Sequence, residues 1–227
     1  MVKIACVHTG VTPSIIQLME NEFKKEIKVP YTSAHYANPD IIAMVRQVGH
    51  VTPEVASTLI RTFTLGMDSG AQIILSMCSS VGDVAESAKS LFQKANVQII
   101  RIDELMSREA VKKHKRIGVM ATLPTTLDPS CRLVQSCAQQ ENTQVEVIEI
   151  LAEGTYRIPQ PELEEKLCNI ALEHQENVDA IILAQSSMVF CQERIIDSIK
   201  KPVYASPGFA ARAVASAAEF VVSESLV

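Results

Sequence analysis

The sequence AQIILSMCSS at residues 71–80 contains the pattern that decides the fold. Aliphatic residues follow one another without alternation and lead into a cysteine and two serines. Such continuous apolar runs are typical of strands buried on both faces of a parallel sheet. A second stretch, DAIILAQSSM at residues 179–188, has the same order of apolar and polar residues. The chain therefore presents the same predicted strand and strand end twice.

Short apolar runs of this kind alternate with longer amphipathic stretches along the chain. The predicted strands cover residues 3–8, 26–30, 72–77, 98–102, 116–120, 144–150, 179–184 and 202–205. Helices are predicted to begin at Pro13, near Pro53, after Gly82 and at Ser206, where the residue types suit helix starts. Alternation of strands with helical crossovers of this length predicts an α/β fold built on parallel sheets.

A further internal repeat divides the chain into two halves. Residues 3–9, KIACVHT, are echoed by residues 116–122, RIGVMAT, and a proline and a helical stretch follow each run. We therefore predict two pseudo-symmetric subdomains, residues 1–102 and 103–206, each a parallel sheet flanked by helices. The prediction allows the C-terminal helix, residues 207–227, to pack back on the first half. Because ligands of open parallel sheets bind at the carboxyl ends of the strands, we expect the active site in a cleft between the halves.

Composition and charge limit the classes of function. The chain has 227 residues, 47% of them hydrophobic, and a formal net charge of −5. Without a block of lysine and arginine we expect no binding to nucleic acid or to a membrane surface, and no apolar run is long enough for a membrane span. Six scattered cysteines without a secretory signal predict reduced thiols in a cytoplasmic protein. Neither metal-ligand spacing nor a glycine-rich phosphate loop occurs, so we predict no metal and no cofactor.

Cys78 is the strongest candidate for chemistry. It follows a predicted strand, with Ser79 and Ser80 after it and a predicted helix beyond them. We expect the positive end of that helix and the nearby N–H donors to lower the pKa of the thiol. The two serines would bind a carboxylate or an enolate oxygen. The alternative is a buried structural cysteine, but a position at the polar end of the strand favours function.

The other repeated strand ends supply further candidate residues. Aligning the two apolar stretches by their Ile-Ile-Leu runs pairs Ser186 with Cys78, and the residues around it either line the site or cap the next helix. The remaining candidates are polar side chains at these strand ends: His8, Thr9, Thr122, Thr125, Gln185 and Ser187. Hydroxyls at the start of a helix suit carboxylate binding and N-capping equally, and a lone histidine is as often structural as a ligand contact.

These motifs resemble the aspartate/glutamate racemase superfamily, which includes hydantoin racemases, maleate isomerases and arylmalonate decarboxylases. The run Cys78-Ser79-Ser80 is similar to the family's first cysteine motif, of the Cys-Asn-Thr type. Residues 121–125, ATLPT, are similar to the Ala-Thr-x-Gly-Thr segment of aspartate racemases. The resemblance implies a two-domain α/β fold and cofactor-independent proton transfer by a cysteine at a carbon next to a carboxylate. It also implies a small amino acid or related carboxylic acid as substrate and, often, a homodimer.

The chain departs from the family at the second cysteine motif. Where the family usually has Leu-Gly-Cys-Thr, residues 183–187 read LAQSS, so Gln185 or Ser186 replaces the second cysteine. The resemblance predicts a racemase or isomerase with Cys78 and Ser186 in the catalytic positions and Gln185 lining the opposite wall. One-cysteine decarboxylation, cis–trans isomerisation of a dicarboxylate and non-catalytic binding of a small acid are the alternatives.

Overall fold

Two four-stranded parallel sheets form the framework of the described residues, which are 1–10 and 12–224 of the computed structural model. The chain divides into two units, of which the first combines Met1–Ile102 with the segment that begins at Pro207. The second unit is Asp103–Ser206. The predicted α/β fold with parallel sheets is confirmed. The last part of the predicted C-terminal helix, residues 225–227, lies outside the described residues.

The sheet of the first unit is built around its first strand. The elements are β1 (Val2–His8), α1 (Pro13–Glu26), β2 (Tyr31–Ala37), α2 (Pro39–Val48), α3 (Pro53–Asp68), β3 (Ile73–Ser76), α4 (Gly82–Gln93), β4 (Gln98–Arg101) and, at the C-terminal end, α9 (Ser206–Glu224). A short 3-10 turn, Ser79–Val81, joins β3 to α4. The strand order is β2-β1-β3-β4, with every neighbouring pair parallel.

Both faces of this sheet are buried, as the continuous apolar runs predict. Successive side chains of a strand point to opposite faces. Ile4 and Cys6 of β1 accordingly pack with residues of α1 and α9, whereas Ala5 and Val7 pack with residues of α2, α3 and α4. The helices on the two faces hold the strand ends in place, so the polar residues after each strand come to lie at one edge.

The second unit repeats this plan. Its elements are α5 (Glu104–Lys113), β5 (Arg116–Ala121), α6 (Pro124–Gln140), β6 (Glu146–Leu151), α7 (Gln160–His174), β7 (Ala180–Leu183), a 3-10 turn (Ser186–Cys191), α8 (Gln192–Ile199) and β8 (Val203–Ala205). The strand order is β6-β5-β7-β8, again parallel throughout. Residues of α7 and α8 pack on one face of this sheet. Across residues 1–10 and 12–224, no helix is both long and apolar enough to cross a membrane.

The helix starts follow the sequence signals. Thr12 precedes α1 and its hydroxyl accepts a hydrogen bond from the N–H of Ile15 at 3.4 Å. Thr52 caps α3 in the same way, accepting from the N–H of Val55 at 3.3 Å. Each helix has proline in its first turn, where the missing N–H costs nothing.

One predicted strand, residues 26–30, is wrong. Helix α1 continues to Glu26, and the strand that pairs with β1 is β2, Tyr31–Ala37. This strand is at the edge of its sheet and its residues are half-buried or exposed. Because one side of an edge strand faces water, β2 carries Thr32, Ser33 and His35 instead of a continuous apolar run.

Candidate functional site

Cys78 lies at the carboxyl end of β3, immediately before the 3-10 turn, and is half-buried. Its sulfur is hydrogen-bonded by the Thr9 hydroxyl, by both the N–H and the hydroxyl of Ser80, and by the N–H of Val81. Thr9 follows β1, so the sulfur connects the ends of two neighbouring strands. One side of the thiol touches the apolar core of the first unit, while the other side meets these donors.

The expected lowering of the Cys78 pKa is wrong. Burial raises the pKa of the thiol, and this effect exceeds the opposing one of the hydrogen bonds from Thr9, Ser80 and Val81. The sequence shows the donors but not the loss of water around the sulfur. In the free protein Cys78 is therefore a thiol at neutral pH, held where donors are ready to stabilise a thiolate.

Arg101 is a site-proximal residue that sequence reasoning missed. It ends β4, opposite Ser76 in the strand register, and only 3% of it is exposed. Its guanidinium packs against Gly82, the first residue of α4, so closely that a Cβ on Gly82 would overlap it. Because Gly82 has no side chain, the buried guanidinium of Arg101 fits against the start of α4, next to the 3-10 turn that follows Cys78. Ser79 and Ser80, the other predicted contacts in this turn, are both buried.

His8 ends β1 and is also buried. Its Nε2 lies 2.9 Å from Nδ1 of His35 on β2, and Nε2 of His35 lies 2.9 Å from Oε1 of Glu20 on α1. Burial, together with the neighbouring His35, lowers the pKa of His8 to about 4, so its ring is neutral at physiological pH. Sequence reasoning selected His8 but missed His35 and Glu20, which are distant in sequence and belong to no motif.

In the second unit the strand ends are joined by a pair of hydrogen bonds. Gln185 follows β7 and its Oε1 accepts from the N–H of Thr122 at 2.7 Å, while its Nε2 donates to the Thr122 hydroxyl at 2.7 Å. Both ends of the Gln185 amide are therefore occupied. Ser186 is half-buried and Ser187 exposed at the start of the 3-10 turn. Thr125 lies in the first turn of α6, and its buried hydroxyl has no partner among the described residues.

The hydrogen bonds at the amino ends of the strands fix how the two units correspond. In the first unit the N–H of Gln72 donates to the carbonyl of Lys3, and the N–H of Lys3 donates to Oε1 of Gln72 at 2.8 Å. In the second unit the N–H of Asp179 donates to the carbonyl of Arg116, whose N–H donates to Oδ2 of Asp179 at 2.9 Å. Gln72 and Asp179 therefore occupy equivalent places.

This correspondence corrects the pairing of Ser186 with Cys78. Six residues after each equivalent place come Cys78 in the first unit and Gln185 in the second. Each is the residue directly before a 3-10 turn, and each bonds to a threonine at the end of the neighbouring strand. Gln185 occupies the position that matches Cys78, whereas the sequence alignment superposed the two Ile-Ile-Leu runs and was therefore shifted by one residue.

A metal would need several ligating side chains near one another. Within residues 1–10 and 12–224, no three His, Cys, Asp or Glu side chains are placed to bind one ion together. The described strand ends carry neutral hydrogen-bonding groups, the thiol of Cys78, the imidazole of His8 and the buried guanidinium of Arg101.

No protein-family model matches the chain, and no curated protein matches it in sequence. Comparison with solved structures is informative instead. A glutamate racemase from Bacillus anthracis aligns over 96% of this chain and 82% of its own, with a TM-score of 0.73 and 12% identity. The chain has a racemase-like fold. Allantoin racemase from Klebsiella pneumoniae has a TM-score of 0.69 at 13% identity, covering 97% of this chain and 89% of its own. Picrophilus torridus aspartate racemase has a TM-score of 0.67 at 12% identity, covering 96% and 95%.

The racemase-like fold agrees with the resemblance seen in the sequence. At these identities the structural likeness concerns the fold, and fold does not by itself determine function. The predicted site residues and the cleft between the halves remain predictions, as do a homodimer and a cytoplasmic location.

Proposed function

We propose that the protein is a cofactor-independent racemase or isomerase of a small amino acid or related carboxylic acid, with Cys78 as a proton-transfer group. The observation that carries this proposal is the environment of the Cys78 sulfur. Hydrogen bonds from three residues converge on it at a strand end. A cysteine that only fills a core needs no such donors, whereas a thiolate formed during a reaction does.

The chemistry makes strong demands on the site. The hydrogen on a carbon next to a carboxylate is very weakly acidic, so its removal requires donors for the negative charge that develops. In the first unit Ser79 and Ser80 lie directly before α4, whose amino end favours an anion. In the second unit the buried Thr125 hydroxyl, in the first turn of α6, is a donor without a partner among the described residues. Both features suit a small carboxylate.

The protonation state of Cys78 defines its role. Because burial raises the pKa, the resting group is a thiol. A separate base must therefore remove the α-proton of the bound acid, and Cys78 gives a proton to the carbanion that this leaves. The S–H bond breaks, a C–H bond forms, and the resulting thiolate keeps the hydrogen bonds from Thr9, Ser80 and Val81. The thiolate then regains a proton from water.

A second candidate function is non-catalytic binding of a small acid. The observation that favours it is the position of Gln185, which is equivalent to that of Cys78. The amide of Gln185 is engaged in two hydrogen bonds with Thr122. A chain with an amide at that position has donors for an anion but lacks a second thiol, which proton transfer on both sides of a substrate carbon would use.

Exchange of substrate hydrogen for deuterium tests the proposal. The protein is incubated in deuterium oxide with each enantiomer of glutamate and aspartate, with allantoin, with maleate and with substituted malonates, and the products are followed by proton NMR and chiral chromatography. We expect exchange at the α-carbon, isomerisation or decarboxylation of at least one compound. Cys78→Ala should lower that rate by at least about a thousandfold.

Cys168→Ala is the matched control, because Cys168 is a buried cysteine of α7. Among the described residues, its sulfur has no set of hydrogen-bond donors like the one around Cys78. This variant should retain the wild-type rate. Binding of an acid without exchange or turnover would contradict the proposal and support the non-catalytic function, as would equal rates in wild type and Cys78→Ala.

A further inference from the structure

Three titratable side chains of the first unit form a hydrogen-bonded chain. It runs from Glu20 through His35 to His8, with 2.9 Å between the bonded atoms at each step. The two imidazole rings are tilted by 32°, with their centroids 5.1 Å apart. The Ser33 hydroxyl donates to the same Glu20 oxygen at 2.6 Å and so helps to fix the carboxylate.

This chain leads from solvent to a buried strand end. The Glu20 side chain is 25% exposed and that of His35 is 16% exposed, whereas His8 is only 1% exposed. His8 is the last residue of β1, and the next residue, Thr9, bonds to the Cys78 sulfur. The inner end of the hydrogen-bonded chain is therefore adjacent in sequence to Thr9, the residue that bonds to the thiol.

The hydrogen bonds select one tautomer of each neutral ring. A carboxylate only accepts, so Nε2 of His35 carries the proton that points to Glu20. Nδ1 of His35 is then an acceptor, and Nε2 of His8 must donate to it. Nδ1 of His8 is left without a proton, with a lone pair that can act as a base.

Neighbouring groups respond to Glu20 as to an anion. After burial, the charge of Glu20 is the next cause that raises the pKa of Tyr31 and of Cys6. In the described part of the chain, the polar or titratable side chains that interact with Glu20 are those of Tyr31, Cys6, Ser33 and His35. Among residues 1–10 and 12–224, the ion-pair partner of the Glu20 carboxylate is His35, and no lysine or arginine bonds to it.

We infer that His8 is the second proton-transfer group of the site, and that Glu20 and His35 are the positioning residues that set its tautomer and carry its proton. This inference rests on the proposed function and supplies the group that the absent second cysteine would otherwise provide. It assigns both proton-transfer groups to the first unit.

The proton inventory balances along the chain. Nδ1 of His8 takes the α-proton of a bound acid as the C–H bond breaks, and the electron pair stays on the substrate as a carbanion. The Nε2 proton of His8 moves to Nδ1 of His35, and the Nε2 proton of His35 moves to Glu20, which releases it to water. The low pKa of His8 is compatible with its role as a base, because the ring passes its Nε2 proton to His35 as Nδ1 takes up the α-proton. Cys78 returns a proton to the carbanion and regains one from water. The relay resets when Nδ1 of His8 releases its proton to water and Glu20 takes up a proton from water, after which the protons move back to Nε2 of His35 and Nε2 of His8.

Substitutions of His35 and Glu20 separate the two roles of these residues, which are to set the tautomer of His8 and to carry its proton. His35→Gln can still accept from His8 through its carbonyl and donate to Glu20 through its amide, but it cannot pass a proton. His35→Phe removes both bonds. Glu20→Gln keeps an acceptor without the charge, and Glu22→Gln, on the same helix and bonded to Lys25 instead, is its matched control.

Nitrogen NMR of the ligand-free protein reads the tautomer without any substrate. In wild type we expect an unprotonated Nδ1 and a protonated Nε2 for His8 between pH 6 and 8, assigned by the loss of its signals in His8→Asn. His35→Gln should keep this pattern, whereas His35→Phe should give a mixture of tautomers. A protonated Nδ1 of His8 in wild type would overturn the inference.

The exchange assay measures proton passage on whichever compound the wild type processes. We expect His35→Gln and Glu20→Gln to lower kcat at least tenfold with KM unchanged, because the groups around Cys78 are untouched, while Glu22→Gln keeps the wild-type kcat. Wild-type kcat in His35→Gln would overturn the relay even if the tautomer is as expected. If the wild type exchanges no compound while its spectra show the expected tautomer, the proposed function fails and the tautomer assignment stands. Thermal unfolding of each variant shows that it is folded.

Discussion

The equivalent strand ends of the two units carry different chemistry on the same scaffold. In the first unit Thr9 bonds to Cys78, a group that can give and regain a proton. In the second unit Thr122 bonds twice to Gln185, an amide that has no proton to exchange at neutral pH. Neighbouring strand ends are thus connected in the same way in both units, while the residue at that connection is a thiol in the first unit and an amide in the second.

The same asymmetry appears in the packing behind each strand end. In the first unit Ser76 is in register with Arg101, a buried cation for which Gly82 leaves room. In the second unit Leu183 is in register with Ala205, and Val189 of the 3-10 turn packs on the core that contains Ala205. In the first unit the large side chain of Arg101 thus faces Gly82. In the second unit the small side chain of Ala205 lies in the core on which Val189 packs.

The largest expected effect comes from giving the second unit a thiol. Gln185→Cys would place a second cysteine at the position equivalent to Cys78. If the added thiol serves as a second proton-transfer group, inversion of an exchanged amino acid should rise by roughly a thousandfold over wild type. Chiral chromatography of the product measures it.

Ser186→Cys is the matched control for this substitution, because it adds a thiol one residue away, where the sequence alignment would have placed it. Inversion in Ser186→Cys but not in Gln185→Cys would mean that the register-based correspondence of the two units is incorrect. Gln185→Cys also removes two hydrogen bonds, which should cost about 1–2 kcal/mol of unfolding free energy.

A second difference between the units is His8, whose place in the second unit is held by Ala121. Because folding lowers the pKa of His8 from 6.5 to about 4, the unfolded chain binds a proton in this range that the folded chain does not. The free energy of unfolding should therefore fall as pH decreases from 6.5 to 4, by roughly 3 kcal/mol, and this contribution should be constant below pH 4.

His8→Ala makes the first unit like the second and should remove this part of the pH dependence. Urea unfolding at half-unit pH steps measures it. His50→Ala, at an exposed position, should retain the wild-type slope. A slope unchanged by His8→Ala would show that His8 takes up a proton as readily in the folded protein as in the unfolded chain.

The smallest expected effect concerns the glycine that accommodates Arg101. Gly82→Ala should lower the free energy of unfolding by about 2 kcal/mol, because the added methyl group overlaps the buried guanidinium. Gly208→Ala, in the first turn of α9, is the control, since its Cβ would meet only Glu22 at an ordinary 3.5 Å. Chemical denaturation compares them; equal stabilities would indicate that Arg101 moves aside without cost.

The sequence was sufficient to predict what depends on local patterns. Continuous apolar runs predicted the central strands, and threonine–proline pairs predicted the starts of α1 and α3. Helix α2 was not predicted, although Asn38 caps it by accepting from the N–H of Asp40 beside Pro39. Strand β2 gave no such signal, because an edge strand keeps polar residues.

The site depends on distances that sequence patterns do not contain. The Ile-Ile-Leu runs that end at Leu75 and Leu183 led to an alignment shifted by one residue, and the hydrogen bonds across the sheet corrected it. Desolvation of Cys78, which determines the direction of its pKa shift, arises from packing by residues distant along the chain. The contact of His8 with His35 likewise requires the pairing of β1 with β2.

Helix α9 has a consequence for biosynthesis. It packs on the face of the first sheet that Ile4 and Cys6 line, yet it is translated after the entire second unit. The unit that contains Cys78 precedes the second unit in the chain but lacks one of its covering helices until the second unit has been translated. The second unit is continuous in sequence, so we expect it to reach its native packing earlier on the nascent chain. The apolar face awaiting α9 would meanwhile be a surface on which a holdase chaperone could act.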